Sequence, residues 1–182
     1  RFCLENVGIN IDEIDYISVS RDPKSNLFKK IIYTLKYTRN FKNISSRIFN
    51  SFQVRSIKDE LATSLGVSVS KINAECFNIE HHRSHIASSF FASSFKKSAI
   101  ISIDGFGDFT STMLAYGTDN NFNVLKELNY PHSLGVFYTS ITQFLGFPNY
   151  GDEYKVMGLA PYGKPKYLKE FENLIKININ GL

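Results

Sequence analysis

The sequence predicts an α/β protein whose helices are layered on a mixed sheet. Three features lead there. Short strand-like runs alternate with helix-spaced apolar residues over the first half of the chain. Three strand-like runs then follow one another through connections rich in glycine, aspartate and asparagine, and helical spacing resumes after Pro131.

The elements follow in order. Residues 1–7 read as the last turns of a helix, with Gly8 placed to end it in the left-handed conformation. Ile11, Ile14 and Tyr16 lead into a strand over 16–19, and Asp22-Pro23 breaks the pattern. Residues 27–37, 45–52 and 57–65 carry apolar side chains at helical spacing, and Gly66 is placed as a stop. A strand over 74–79 runs into Glu80-His81-His82, and residues 83–91 form a helix rich in small and apolar residues. Strands are expected over 98–103, 110–116 and 122–128. The connections 104–108 and 117–121 have the composition of tight hairpins. A helix over 133–145 carries Phe137, Ile141, Phe144 and Leu145. Residues 151–163 read as loop, helix and loop, 167–175 as a short helix, and 177–179 as a strand.

Composition narrows the classes. With 182 residues, 43% hydrophobic and 21% charged, the chain suits one packed domain or parts of two small ones. No apolar run approaches the ~18 residues needed to span a bilayer. Arg1-Phe2-Cys3-Leu4-Glu5 has neither an initiator Met nor a signal-peptide pattern, so a piece of a longer protein is expected. Cys3 and Cys76 lie in apolar patterns and are expected as buried free thiols in a reducing cytoplasm.

The net charge of +4 is concentrated locally. Residues 24–58 carry Lys24, Lys29, Lys30, Lys36, Arg39, Lys42, Arg47, Arg55 and Lys58 with no Asp or Glu. Phe28, Tyr33, Tyr37, Phe41, Phe49 and Phe52 are interleaved with them. Such a mixture suits nucleic acid or an anionic membrane surface, or else an inserted helical excursion docked through its aromatics with a solvated basic face.

Three places carry chemistry. His81 and His85 lie four apart at a strand-to-helix junction. If the helix begins by His81, both imidazoles share one face and can hold one metal ion, whereas His82 points about 100° away. Asp104 follows the apolar run 99–103 and precedes Gly105. A carboxylate at the end of a buried strand needs a cation or a ring of hydrogen bonds, or else it bonds its own turn. Gly105 and Gly107 permit close approach of a ligand and leave amides for phosphate. Two imidazoles and a carboxylate suit Fe(II), Mn or Zn with positions left open for substrate. Glu153 and Lys155, between Gly151 and Gly158, suit a phosphate- or ribose-contacting loop, or equally a turn with a surface ion pair.

Four blocks occur in a set order: Glu80-His81-His82-Arg83-Ser84-His85; Ile103-Asp104-Gly105-Phe106-Gly107-Asp108; Pro131-His132-Ser133-Leu134-Gly135; and Glu153-Tyr154-Lys155-Val156-Met157-Gly158-Leu159-Ala160-Pro161-Tyr162-Gly163. Their succession resembles the O-carbamoyltransferases that decorate nodulation factors, cephalosporins and aminoglycosides. The likeness covers residues 1–19 and 72–163. It implies an incomplete actin-like (ribonuclease H-like) ATPase fold. One ribonuclease H-like half would cover 1–97, with a helical insertion at about 21–70, and a second would begin at 98–182. It implies carbamoyl transfer from carbamoyladenylate, made from carbamoyl phosphate and ATP in a separate C-terminal domain, to a hydroxyl of a small-molecule or glycan acceptor. His81, His85 and Asp104 become metal ligands, with Fe(II) first and Mn or Zn next. Gly105, Gly107, Glu153, Lys155 and Gly158 lie against the nucleotide, and His132 and Asp108 are the candidates for deprotonating the acceptor. Nucleic acid is not an expected partner, and the fragment alone is expected to be inactive. Two further readings stand beside this one: an enzyme transferring threonylcarbamoyl to tRNA, and a non-enzymatic metal-stabilised interaction module using the basic aromatic segment.

Overall fold

The computed structural model describes residues 1–37 and 56–176. The expected helix over 45–52, the expected strand over 177–179, the cations Arg39, Lys42, Arg47 and Arg55, and Phe41, Phe49 and Phe52 lie outside the described residues. Internal contacts divide the chain into two units, Arg1–Ser84 and His85–Leu182.

In the first unit, α1 (Phe2–Val7) ends at Gly8, whose φ of 73° lets its amide close on the Leu4 carbonyl. β1 (Tyr16–Val19) pairs in parallel with β2 (Glu75–Asn78), Tyr16 opposite Glu75 and Val19 opposite Asn78. A parallel pair requires a long crossover. Residues 20–74 supply it, with α2 (Leu27–Tyr37) and α3 (Ile57–Leu65), the latter closed by Gly66 at φ 70°. Among the described residues its core consists of buried Ala62, Ile72 and Ala74, with Ile11, Ile14, Ile17, Leu61 and Val67 packed against them. Cys76 is only half-buried in β2, and Cys3 is exposed on α1, a helix that buries none of its residues. The expectation of two buried thiols is therefore corrected: an apolar pattern does not bury a residue where nothing lies over it.

Helix α4 (His81–Phe91) starts where Glu80 caps it, the Glu80 carboxylate accepting the Arg83 amide at 2.8 Å. It continues through the division into the second unit. There β3 (Lys97–Gly107), β4 (Thr110–Thr118) and β5 (Asn121–Asn129) form an antiparallel meander in the order β3-β4-β5. Lys97 lies opposite Thr118 and Ile103 opposite Thr112. Ile86 and Phe90 of α4 pack on Ile100, Met113 and Ala115 of this sheet, flanked by Phe122 and Val124. Helix α5 (Leu134–Phe144) packs against β3 and is joined to α6 (Glu153–Leu159); α7 (Leu168–Leu174) follows, with Phe171 set edge-on to Phe137.

Three expectations change. Among the described residues the strands form two sheets, one parallel and one antiparallel, not a single mixed sheet, because one connection is a long crossover and the others are tight turns. β3 is not buried on both faces: Ile100 and Ser102 are covered while Ile101 and Ile103 are exposed, the alternation of a strand covered on one side. The first hairpin does not turn at its glycines. β3 runs on through Gly107, with its register irregular after Ile103, and Asp108 and Phe109 take the positive φ values of 51° and 85°. The second hairpin turns at Asp119, φ 52°.

Candidate metal centre

The site begins with where α4 starts. Because His81 is its first residue, His81 and His85 are one turn apart and share a face. Asp104 stands where β3 departs from regular pairing. Its Oδ1 accepts the Gly105 amide at 2.7 Å, and its Oδ2 lies 3.5 Å from His85 Nε2. One ligand atom from each of His81, His85 and Asp104 lies within 4.8 Å of the others. Among the described residues this is the one such group of three His, Cys, Asp or Glu side chains. His82, by contrast, is fully buried and is not one of the three.

Within this group His85 and Asp104 are spaced to share one ion. Two ligands on one ion at metal–ligand distances of about 2.0–2.2 Å are separated by roughly 3–3.5 Å, the His85–Asp104 spacing. The His85 and Asp104 side chains are 51% and 48% exposed, so solvent reaches the group. The carboxylate is therefore not the buried charge the sequence suggested. Its strand is covered on one face, and the Gly105 amide, expected to be available for phosphate, is already spent on Asp104.

Asp104 is held from behind. Ser133 caps α5 by accepting the Val136 amide, and its hydroxyl lies within hydrogen-bond reach of the Asp104 and Gly105 carbonyls at 3.1 and 2.7 Å. The next turn comes closer still: a methyl group on Gly135 would fall 2.6 Å from the Asp104 carbonyl and the Gly105 nitrogen. Only glycine lets the helix start there.

The other expected residues are placed as follows. Asp108 sits at the hairpin turn, and His132 is exposed, its carbonyl accepting the Ser111 hydroxyl at 2.6 Å; neither belongs to the cluster of three ligands. Glu153, Lys155 and Gly158 lie on a helix, α6, and not on a loop. Glu153 accepts the Thr139 hydroxyl of α5, and that bond holds its carboxyl below the usual carboxylate range. The partner of Lys155 is Asp152, at 2.6 Å, and not Glu153. The buried Asp152 also accepts the Asn149 amide at 3.1 Å. The Lys155 hydrogen bond holds Asp152 below its ordinary pKa, and the same bond holds Lys155 above its own. Sequence reading missed Asp152; its three-residue spacing to Lys155, one helical turn, was the available signal.

Residues 1–181 match the family described as Carbamoyltransferase N-terminus. The chain is 33% identical over 187 residues to an uncharacterised protein of Synechocystis, covering 99% of this chain and 30% of that protein. It is 31% identical over 184 residues to Nodulation protein NolNO of Sinorhizobium fredii, covering 100% of this chain and 25% of that one. Nodulation protein NolO of Bradyrhizobium diazoefficiens is 42% identical over 92 residues, half of this chain and 17% of that protein. The chain thus spans less than a third of the length of each of these relatives. With the match running over nearly every residue, and the ordered histidine, Asp104 and α6 blocks inside it, this chain belongs to the carbamoyltransferase N-terminus family.

Proposed function

We propose that the protein to which this chain belongs transfers a carbamoyl group from carbamoyladenylate, formed from carbamoyl phosphate and ATP, to a hydroxyl of a small-molecule or glycan acceptor. The observation that carries the reading is the convergence of His81, His85 and Asp104 within a family of carbamoyltransferase N-termini. In the same reading the fold is ribonuclease H-like, with one half over 1–97 and a second beginning at 98.

In the reaction the acceptor oxygen attacks the carbamoyl carbon, the bond from that carbon to the adenylate oxygen breaks, and AMP leaves. His132 or Asp108 takes the acceptor's proton. His81, His85 and Asp104 would hold the divalent ion, Fe(II) first and Mn or Zn next. Such an ion, when bound, polarises a carbonyl or phosphoryl oxygen and orients the mixed anhydride. The chain's own contribution is placement. Ser133 and Gly135 fix the Asp104 backbone, and the α5–α6 bond from Thr139 fixes Glu153. Gly105 and Gly158 have open space beside them for a nucleotide, whereas Gly107 is buried. Lys155, already paired with Asp152, faces phosphate as part of a neutral pair and not as a lone charge.

The test is elemental analysis of the full-length protein and its His85→Ala variant. Bound metal per chain should fall in the variant, and carbamoyl transfer with it. Unchanged metal content would remove the ligand role of His85.

A further inference from the structure

The metal centre leaves α2 unexplained. Phe28, Ile31, Ile32 and Leu35 follow i, i+3, i+4, i+7 spacing, which gathers them within about 100° of the helix circumference. This stripe faces solvent: Phe28 is 75% exposed and Leu35 59%. The less exposed residues are on other faces: Leu27, Lys30, Tyr33 and Thr34 are half-buried, and the Lys30 ammonium reaches the Pro23 carbonyl at 3.3 Å. The apolar stripe is therefore the most exposed side of the helix. Lys29 and Lys36 border the stripe, Lys36 lying 5.3 Å over the Tyr37 ring. Residues 24–58 contain no Asp or Glu.

We propose that α2 is an interfacial helix that docks on an anionic lipid surface, its stripe sunk among the acyl chains and its lysines at the headgroups. Charge and apolarity select this occupant together. Nucleic acid would use the lysines and could stack on Phe28, but the aliphatic Ile31, Ile32 and Leu35 offer nothing to a phosphate backbone. The core of a protein interface is depleted in charged residues and in Lys especially, whereas here Lys29 and Lys36 adjoin the stripe. A lipid surface supplies apolar depth and diffuse negative charge at once. At 11 residues, α2 lies in the interface and cannot cross it, since about 20 are needed; among the described residues no helix is long and apolar enough to span a membrane.

The experiment is flotation of the full-length protein with vesicles of phosphatidylcholine alone, or of phosphatidylcholine mixed equally with phosphatidylglycerol. Binding to the mixed vesicles is expected, weakening as salt rises. Phe28→Ser with Leu35→Gln should reduce it by at least about tenfold, and Lys29→Gln with Lys36→Gln by about fivefold per cation. Because all four residues are exposed, circular dichroism should show both variants folded, and metal content should be unchanged. Failure to float, equal binding to neutral vesicles, or indifference to the Phe28/Leu35 change each overturns the proposal. So does an oligonucleotide that binds α2 in preference to the vesicles, or self-association that Phe28→Ser abolishes. If Phe28→Cys is already shielded from thiol reagents without lipid, the stripe belongs to the rest of the polypeptide and the proposal ends as well.

Discussion

Adding one methyl group at Gly135 tests how the metal centre is held. The Cβ of Gly135→Ala would stand 2.6 Å from the carbonyl carbon and oxygen of Asp104 and from the Gly105 nitrogen, where ordinary contact begins at 3.4 Å. The deficit is about 0.8 Å, and the atoms on the far side are backbone, with no rotamer to escape into. Either the first turn of α5 lifts away from β3 or the Asp104–Gly105 peptide retreats. Overpacking of this kind costs about 1–3 kcal/mol. Either movement also loosens the Ser133 contacts and shifts a carboxylate now 3.5 Å from His85 Nε2. Loss of such support weakens metal binding by about 10–100-fold. The assay is calorimetric titration of Mn or Zn into the metal-free full-length protein, with unfolding in urea measured alongside. Gly105→Ala is the matched control: its Cβ meets only Val136 Cγ2, at 4.0 Å, so the same added methyl should leave stability and metal affinity near the starting values. If Gly135→Ala binds metal as tightly as the unaltered protein, or Gly105→Ala loses as much, the close approach of α5 does not position Asp104.

Two further outcomes follow from packing and charge. Ile86→Ala empties a fully buried position where α4 meets the sheet and should destabilise the second unit by about 2–5 kcal/mol, read as a lower urea midpoint; a change under 1 kcal/mol would mean that the Ile86 cluster is not its core. The Asp152–Lys155 pair should make stability depend on pH. The Asp152 carboxyl is lowered, so its contribution is present above about pH 4 and is lost as pH falls through the folded value. Lys155 is raised, so its contribution is present below about pH 10 and is lost as pH rises through its folded value. Urea midpoints taken across pH should fall more steeply in acid for the unaltered protein than for Asp152→Asn; parallel curves would show that the pair does not couple to folding.

What the sequence revealed depended on the range of the physics involved. Helix α2 was read to the residue because one face repeats every three to four positions, and α1 and α3 because Gly8 and Gly66 take the positive φ that favours glycine. The turn after β3 was misplaced by the same reasoning. Gly105 and Gly107 drew the hairpin towards themselves, while the strained positions fell to Asp108 and Phe109, where no glycine marks them. The convergence of His81, His85 and Asp104 was legible, because helical spacing fixes the first two and the strand end suggests the third. That Asp104 is half-exposed was not, since exposure depends on what covers β3. Gly135 was legible only as part of a block. Its role is a close approach to a backbone thirty residues earlier, and no local pattern records that.

These long-range contacts join motifs that the sequence shows only as separate blocks. Ser133 at the start of α5 contacts the Asp104 and Gly105 carbonyls, and Thr139, six residues on, donates to Glu153 at the start of α6. Six residues of helix span about 9 Å. Within the second unit α5 therefore braces Asp104 at its capped end and α6 at its middle. A helix transmits displacement along its axis because its backbone bonds resist stretching, whereas a loop of equal length would absorb it. Moving the capped end of α5 must then disturb Glu153 together with Asp104. The order of the blocks in the sequence, Asp104 first, Ser133-Leu134-Gly135 next and Glu153 last, is the order in which they are braced.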